Sequence, residues 1–294
     1  MLEIVVTARP SWARVKSFVK NYVQIASNRS IRLTLSGSSL SRSFGDITSD
    51  IPPNVSYKAF ATLRDTDNFE SAALTSSEIT QVLSRHWSVD RPDAVMVIAD
   101  RAETLGVASA AALCQIPLIH LQGGEVSGSI DNKIRDVNSK LADLHLTTND
   151  FTKKRLMSLG EKERIIKVIG CPSLDLVREV QENELTFDIT KFVGVGSDYH
   201  EGSDYGIIMF HPDTLNESES LEWVARLISF VQNTNIHWFW FWPNPDLGTS
   251  RISKELRRSR ELGALNNVKF LINLKPEEFI YLANNALVLV GNSS

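Results

Sequence analysis

Acidic, amide and imidazole side chains gather in two short stretches of this 294-residue chain, each directly after an apolar run. The run DAVMVIA leads into Asp100, Arg101, Ala102 and Glu103, and LIHL opens the segment HLQGGEVSGSID, residues 120 to 131. Alone, Asp100 would be an ordinary helix N-cap, and Asp131 with Arg135 four residues on would be a surface ion pair worth roughly 0.3 kcal/mol. A loop that only connects rarely needs His120, Gln122, Glu125 and Asp131 as well. Asp100, Glu125 and Asp131 converging on one cleft would push each other's pKa values apart, which is how acid and base roles separate. Paired glycines at Gly123 and Gly124 allow positive φ and close approach of the backbone to a ligand, and Gly128 and Ser129 lead into the next helix. Anion contacts have other sources. LEIVVT is followed by Ala8, Arg9, Pro10 and Ser11, where Pro10 suits a first helical turn and Arg9 adds positive charge to the helix end. YGIIMF ends in His211 and Pro212, and HWFWFW ends in Pro243, Asn244, Pro245 and Asp246, all at positions where a ligand is expected. No HExxH, GxSxG or GxGxxG occurs, and no acidic residue closes the run IRLTL. A metal, a serine nucleophile and a bound nicotinamide are therefore not expected. His86, His145, His200 and His237 read as structural.

Ligands of open parallel sheets sit beyond the carboxyl ends of the strands, so strands must carry these residues. The runs LEIVVT, IRLTL, DAVMVIA, LIHL, LHLTT, IIKVI, YGIIMF, HWFWFW, VKFLI and ALVLV supply them, several being apolar at successive positions as in strands buried on both faces. Between them residues 12–26, 71–87, 101–114, 130–141, 221–231 and 251–262 read as helices. The clearest has Ile130, Ile134, Val137 and Leu141 in one continuous stripe, which leaves Asp131 and Arg135 on its polar face. The polar stretch Gln181 to Glu184 and the Gly/Ser-rich GVGSDYHEGSDYG separate two parts. The expected fold is α/β, with two Rossmann-like domains facing a cleft, residues 1–177 and residues 178–294. The second is expected to be incomplete, because it stops at Gly291, Asn292, Ser293 and Ser294 where a covering helix should begin.

Composition removes several classes of partner. Lys plus Arg total 31 against 35 Asp plus Glu, for a net charge of -4 and a pI near 5.9, so nucleic acid is not an expected partner. The longest apolar runs fall far short of the roughly 20 residues of a membrane span. Met1 leads straight into strand-like sequence with no signal-peptide pattern, so a cytosolic protein is expected. Cys114 and Cys171 lie too far apart for a redox or zinc pair.

The string HLQGGEVSGSIDNKIRDVNSKLADLHLTT, with DRAETLGVASAAAL, VVTARPSWARVKS, GCPSLD, HPDT, FWPNPDLG and GNSS, resembles the UDP-N-acetylglucosamine 2-epimerases, specifically their hydrolysing branch. The resemblance runs from residue 4 to residue 294. It implies a fold like that of the GT-B glycosyltransferases, with uridine diphosphate held largely by the second domain, no cofactor, and a possible pairing of chains. It also implies elimination of UDP from UDP-N-acetylglucosamine or a related UDP-2-acetamido sugar to a glycal. Hydration with inversion at C2 then gives N-acetylmannosamine or an analogue for sialic or nonulosonic acid synthesis. Asp100 and Asp131 match carboxylates used in acid/base work. Arg9, Arg101, His211, Asn244, Ser293 and Ser294 match positions that contact the nucleotide or its phosphates. Gln122 stands where some members carry a catalytic glutamate, so Glu125, or Asp131 with a water, would take that task. Asp136 stands where an IRH pattern would put histidine. Competing readings are a UDP-sugar-binding protein that has lost catalysis, a non-hydrolysing 2-epimerase, and a GT-B glycosyltransferase.

Overall fold

All ten apolar runs form strands in the computed structural model, which describes residues 1–26, 30–41, 46–63, 68–127, 130–212, 217–243 and 249–292. The chain divides into two compact units, Met1–Asp65 with Phe69–Leu176, and Thr66–Asn68 with Val177–Ser294.

Unit 1 is a seven-stranded parallel sheet of β1 (Leu2–Val6), β2 (Ile31–Leu35), β3 (Ser56–Ala59), β4 (Ala94–Ile98), β5 (Leu118–Leu121), β6 (Leu144–Thr147) and β7 (Ile166–Val168), in the order β3-β2-β1-β4-β5-β6-β7. Helices α1 (Arg9–Ile25), α2 (Phe69–Val89), α3 (Ala102–Leu113), α4 (Asp131–Leu141) and α5 (Asp150–Ser158) make its crossovers, and α6 (Pro172–Glu182) follows β7. Ile4, Val6, Leu33 and Ile98 fill one core with Trp12 and Val15 of α1, while Val5, Val95 and Val97 pack with Ile79, Leu83 and Val107 of α2 and α3. Glu3 breaks the apolar pattern of β1. It is fully buried and accepts hydrogen bonds from Arg32 Nε (3.1 Å), Thr34 Oγ1 (2.7 Å) and Trp87 Nε1 (3.0 Å), which fastens α2 to the β1–β2 pair. Removing one member of such a buried charge pair costs about 3–5 kcal/mol, because the other is left uncompensated.

Unit 2 has the sheet order β12-β9-β10-β11-β8, formed by β8 (Gly194–Gly196), β9 (Tyr205–Met209), β10 (His237–Phe241), β11 (Val268–Leu271) and β12 (Val288–Gly291). Helices α7 (Glu217–Gln232), α8 (Thr249–Glu261) and α9 (Pro276–Asn284) connect its parallel strands. Trp238, Phe239, Trp240 and Phe241 are all buried. Trp242 stacks on Phe270 with centroids 4.7 Å apart and carries the Arg257 guanidinium at 5.6 Å. β12 has one neighbour, β9, among the described residues, and its Leu289 is 50% exposed.

Two expectations change. The GVG of the presumed inter-domain linker is β8, an antiparallel edge strand that caps β11. The apolar stripe of α4 is only partly covered: Ile130 and Val137 are exposed, Leu141 packs against the core, and the buried residues of the helix are Arg135, Asn138 and Ser139. Arg135 therefore forms no surface ion pair, and the polar face of α4 is the inner one.

Candidate functional site

In unit 1 the chain leaves β1 toward β2 and β3 on one side and returns through β4 toward β7 on the other. Such a reversal opens a crevice at the carboxyl ends of the strands, and in this unit Arg9, Asp100 and Gln122 follow those ends. Ala99, between β4 and Asp100, has a φ of 58°, and Gln122, directly after β5, has a φ of 62°. Left-handed backbone at residues other than glycine costs roughly 1 kcal/mol or more each. Main-chain bonds hold both: Ala99 N–H donates to Leu121 O (2.9 Å) and Gln122 N–H to Leu146 O (2.8 Å). Strain is thus stored on the two adjacent strand ends that present Asp100 and Gln122.

Asp100 is buried and accepts a hydrogen bond from Arg135 Nη2. Arg135 is only 4% exposed, and its Nε and Nη1 have no partner among the described residues, so donors remain beside the carboxylate. Asp131 opens α4 one turn before Arg135, on the same side of the helix. Behind this pair, Ala99 O accepts from His120 Nε2 (2.8 Å) and Asn138 Nδ2 (3.4 Å), and Asn138 Nδ2 also donates to Thr104 Oγ1 (2.8 Å). Because the carbonyl can only accept, His120 carries its proton on Nε2, and its Nδ1 accepts from Ser139 Oγ at 3.0 Å. Complete burial pushes the His120 imidazole down to about 4, so the ring is neutral at physiological pH. His120 braces the site from within the core.

The remaining loop residues have contacts of their own. Gly124 has a φ of +82°, and a Cβ there would lie 2.5 Å from Thr152 O, while one at Gly123 would lie 2.9 Å from His120 Nδ1 and Ser139 Oγ. Both glycines are demanded by the protein's own packing against α5 and α4. Glu125 is turned toward β6, where Thr148 Oγ1 donates to its Oε1 at 3.1 Å. Gln122 Nε2 lies 3.6 Å from Cys171 Sγ, and its buried Oε1 has no hydrogen-bond partner in the described residues. Asp136 forms a two-pronged pair with Arg155 of α5 (2.7 and 2.9 Å), a tether between helices.

Arg9 opens α1, and burial lowers its guanidinium to about 10, which leaves it charged at neutral pH. Arg101 is the N-cap of α3, with Nε 3.3 Å from Oε2 of the buried Glu103. One part of the site has no counterpart among the residues singled out from sequence. After β2 the turn Ser36–Gly37–Ser38–Ser39 folds over the end of β1, with Ser39 N–H (3.1 Å) and Ser38 Oγ (3.3 Å) both donating to Thr7 O. Gly37 has a φ of +56°, and Thr62 Oγ1 accepts from its N–H at 3.1 Å. A glycine among small polar residues directly after an apolar run is the signal that also marks the loop after LIHL.

In unit 2, His211 follows β9, and Asn292 after β12 bonds to its main chain. Asn244, Ser293, Ser294, Gly128 and Ser129 lie outside the described residues. Among the described residues no group of three His, Cys, Asp or Glu side chains could hold a metal ion, and no helix is long and apolar enough to cross a membrane.

Comparison with known proteins gives this geometry its context. The sequence model of the UDP-N-acetylglucosamine 2-epimerase family matches residues 23–294. The chain is 33% identical over 214 residues, 72% of its length, to a UDP-N-acetylglucosamine 2-epimerase of Neisseria meningitidis, of which the match covers 54%. It is 27% identical over 294 residues, 99% of its length, to a hydrolysing GDP/UDP-N,N'-diacetylbacillosamine 2-epimerase of Campylobacter jejuni, of which the match covers 75%. The chain thus spans about half the length of the first relative. A crystal structure of UDP-GlcNAc 2-epimerase from Neisseria meningitidis bound to UDP-GlcNAc superimposes with a TM-score of 0.77 at 16% identity, over 100% of this chain and 78% of that one, which shows a common fold. Two α/β units with parallel sheets, polar loops at the strand ends of the first, and a family match over most of the sequence lead to one conclusion: the chain belongs to the UDP-N-acetylglucosamine 2-epimerase family.

Proposed function

We propose that the chain is a hydrolysing 2-epimerase acting on UDP-N-acetylglucosamine or a related UDP-2-acetamido sugar. A carboxylate removes the proton on sugar C2 while the C1–O bond breaks and UDP leaves with the electron pair, giving a glycal. Water then adds at C1 and a proton returns to C2 on the opposite face, releasing N-acetylmannosamine or its analogue, the precursor type for a nonulosonic acid. The observation that carries this reading is Asp100, buried against Arg135 at the end of β4, with Asp131 one turn earlier on the helix that supplies the arginine. In this reading Asp131, at the start of α4, carries the proton, and Asp100 with Arg135 orients the sugar hydroxyls and steadies developing charge. Gln122, whose amide cannot transfer a proton, donates or accepts hydrogen bonds to the sugar. Glu125, whose carboxylate accepts from Thr148, or Asp131 with a water takes the task of the glutamate. Arg9, Arg101, His211, Asn244, Ser293 and Ser294 hold the uridine diphosphate.

Incubation with UDP-N-acetylglucosamine in deuterated buffer, followed by NMR, tests the reading: free UDP should appear together with N-acetylmannosamine deuterated at C2. An intact UDP-sugar with inverted C2 would place the chain in the non-hydrolysing branch. A specific observation, glutamine at position 122, favours a second reading in which the chain binds the UDP-sugar without turnover; UDP binding with no released sugar would establish it.

A further inference from the structure

We propose that Asn292 is a positioning residue for His211, because its side-chain amide forms two hydrogen bonds with the main chain of that one residue. The parallel pairing of β9 with β12 ends at Met209 opposite Gly291. At Gly291 the two backbones are so close that a Cβ would lie 2.1 Å from Met209 O. One residue further, Asn292 Oδ1 accepts from His211 N–H at 2.8 Å, and Asn292 Nδ2 donates to His211 O at 2.8 Å. The partners fix the amide's orientation, since a peptide N–H can only donate and a carbonyl can only accept. The carboxamide therefore acts as one more peptide unit of the sheet, extending the ladder by a residue. Asparagine and glutamine alone carry a carboxamide, whose donor and acceptor are arranged as in a peptide unit. Aspartate would set a carboxylate against the His211 carbonyl, and serine would reach one of the two atoms.

His211 is confined from a second direction. Pro212 follows it, and the residue before a proline is driven to extended backbone. Pro212 limits φ and ψ of His211, and Asn292 engages both of its main-chain polar groups. The main-chain N–H of His211 is consequently not offered to a phosphate, and the imidazole is the group this position presents. β9 is an interior strand, between β12 and β10, and its carboxyl end is where an open parallel sheet receives a ligand. Pre-ordering the backbone there removes ordering entropy that binding would otherwise have to meet. This rests on the reading that His211 contacts the diphosphate of UDP.

Calorimetric titration of the 294-residue protein with UDP tests it. Asn292→Ala and Asn292→Asp should each weaken UDP binding about tenfold or more, as should His211→Ala. The double variant His211→Ala/Asn292→Ala should bind within twofold of His211→Ala alone. In turnover of the UDP-sugar the Asn292 variants should raise KM and change kcat by less than threefold. Losses that multiply in the double variant would overturn the proposal, because Asn292 would then act independently of His211, and so would unchanged affinity in both single variants. If one Asn292 variant fails to fold by near-ultraviolet circular dichroism, the other decides. The two readings fail separately. A wild type that binds UDP but releases none from UDP-N-acetylglucosamine defeats the proposed activity and leaves the affinity comparison decisive, whereas a wild type that binds no UDP overturns the role of Asn292.

Discussion

Asp100 and Asp131 differ in what surrounds them, so their substitutions should behave differently. Asp131 is half-buried at the start of α4, whereas Asp100 is the counter-charge of the buried Arg135. Asp131→Asn should abolish UDP release with UDP affinity kept within a few-fold and cost less stability than a change at the buried Asp100. Asp100→Asn should abolish release and also destabilise the fold by about 3 kcal/mol, since a buried guanidinium loses its partner. Coupled assay and urea titration of each variant check the contrast, and a fully active Asp131→Asn would remove it from the chemistry. His120 supports a pH prediction. Its folded pKa of about 4 lies below the ordinary value of 6.5, so the unfolded chain binds the proton first as pH falls. Its contribution is complete above pH 6.5 and is lost progressively toward pH 4, on the order of 3 kcal/mol in all. Replacing His120 by Gln should flatten the stability curve in that window; an unchanged slope would assign the acid loss to other groups, such as His237, which burial also lowers to about 4. At this scale sequence shows which residues follow strands, and so points to Asp100, Gln122 and Asp131. It does not show which neighbours neutralise them. Arg135 is hidden because the acidic residues near it in sequence are Asp136, next to it, and Asp131, four positions away, while its bonding partner is 35 positions away.

The elements explain that difference. Apolar runs and polar punctuation were enough to find ten strands, because burial on both faces leaves an uninterrupted apolar run whatever the surroundings. β3 (SYKA) and β8 (GVG) escaped, since edge strands with exposed residues carry no such run. α5, α6 and α9 are short, and the pattern of alternating elements did not single them out. In α4 the usual rule is largely inverted: its buried residues are Arg135, Asn138 and Ser139, while Val137 is exposed and of the aliphatic stripe Leu141 packs against the core. Helix packing also yields a prediction away from the site. A Cβ at Gly106 of α3 would lie 2.2 Å from the main-chain oxygen of Ser76 in α2. Gly106→Ala should force the two helices apart and destabilise the protein by about 1–3 kcal/mol, despite alanine's better helix propensity. The urea midpoint measures this, and a stabilised variant would show that the helices part freely.

Across the whole molecule, each unit has its own buried clusters, so two sheets stand on separate packing. Their outermost strands do not share one fate. β3 exposes Ser56, Tyr57 and Ala59 on a unit whose Lys58 pairs with Asp90. β12, by contrast, shows leucine and valine along a rim whose outward amides and carbonyls lack a neighbouring strand among the described residues. An unguarded rim of this kind is a template on which another polypeptide can hydrogen-bond, and charged side chains are the usual safeguard. Concentrated solutions of these 294 residues by themselves should scatter light through slow edge-to-edge self-association, and Leu289→Lys should suppress it; equal scattering by both would clear this rim of blame.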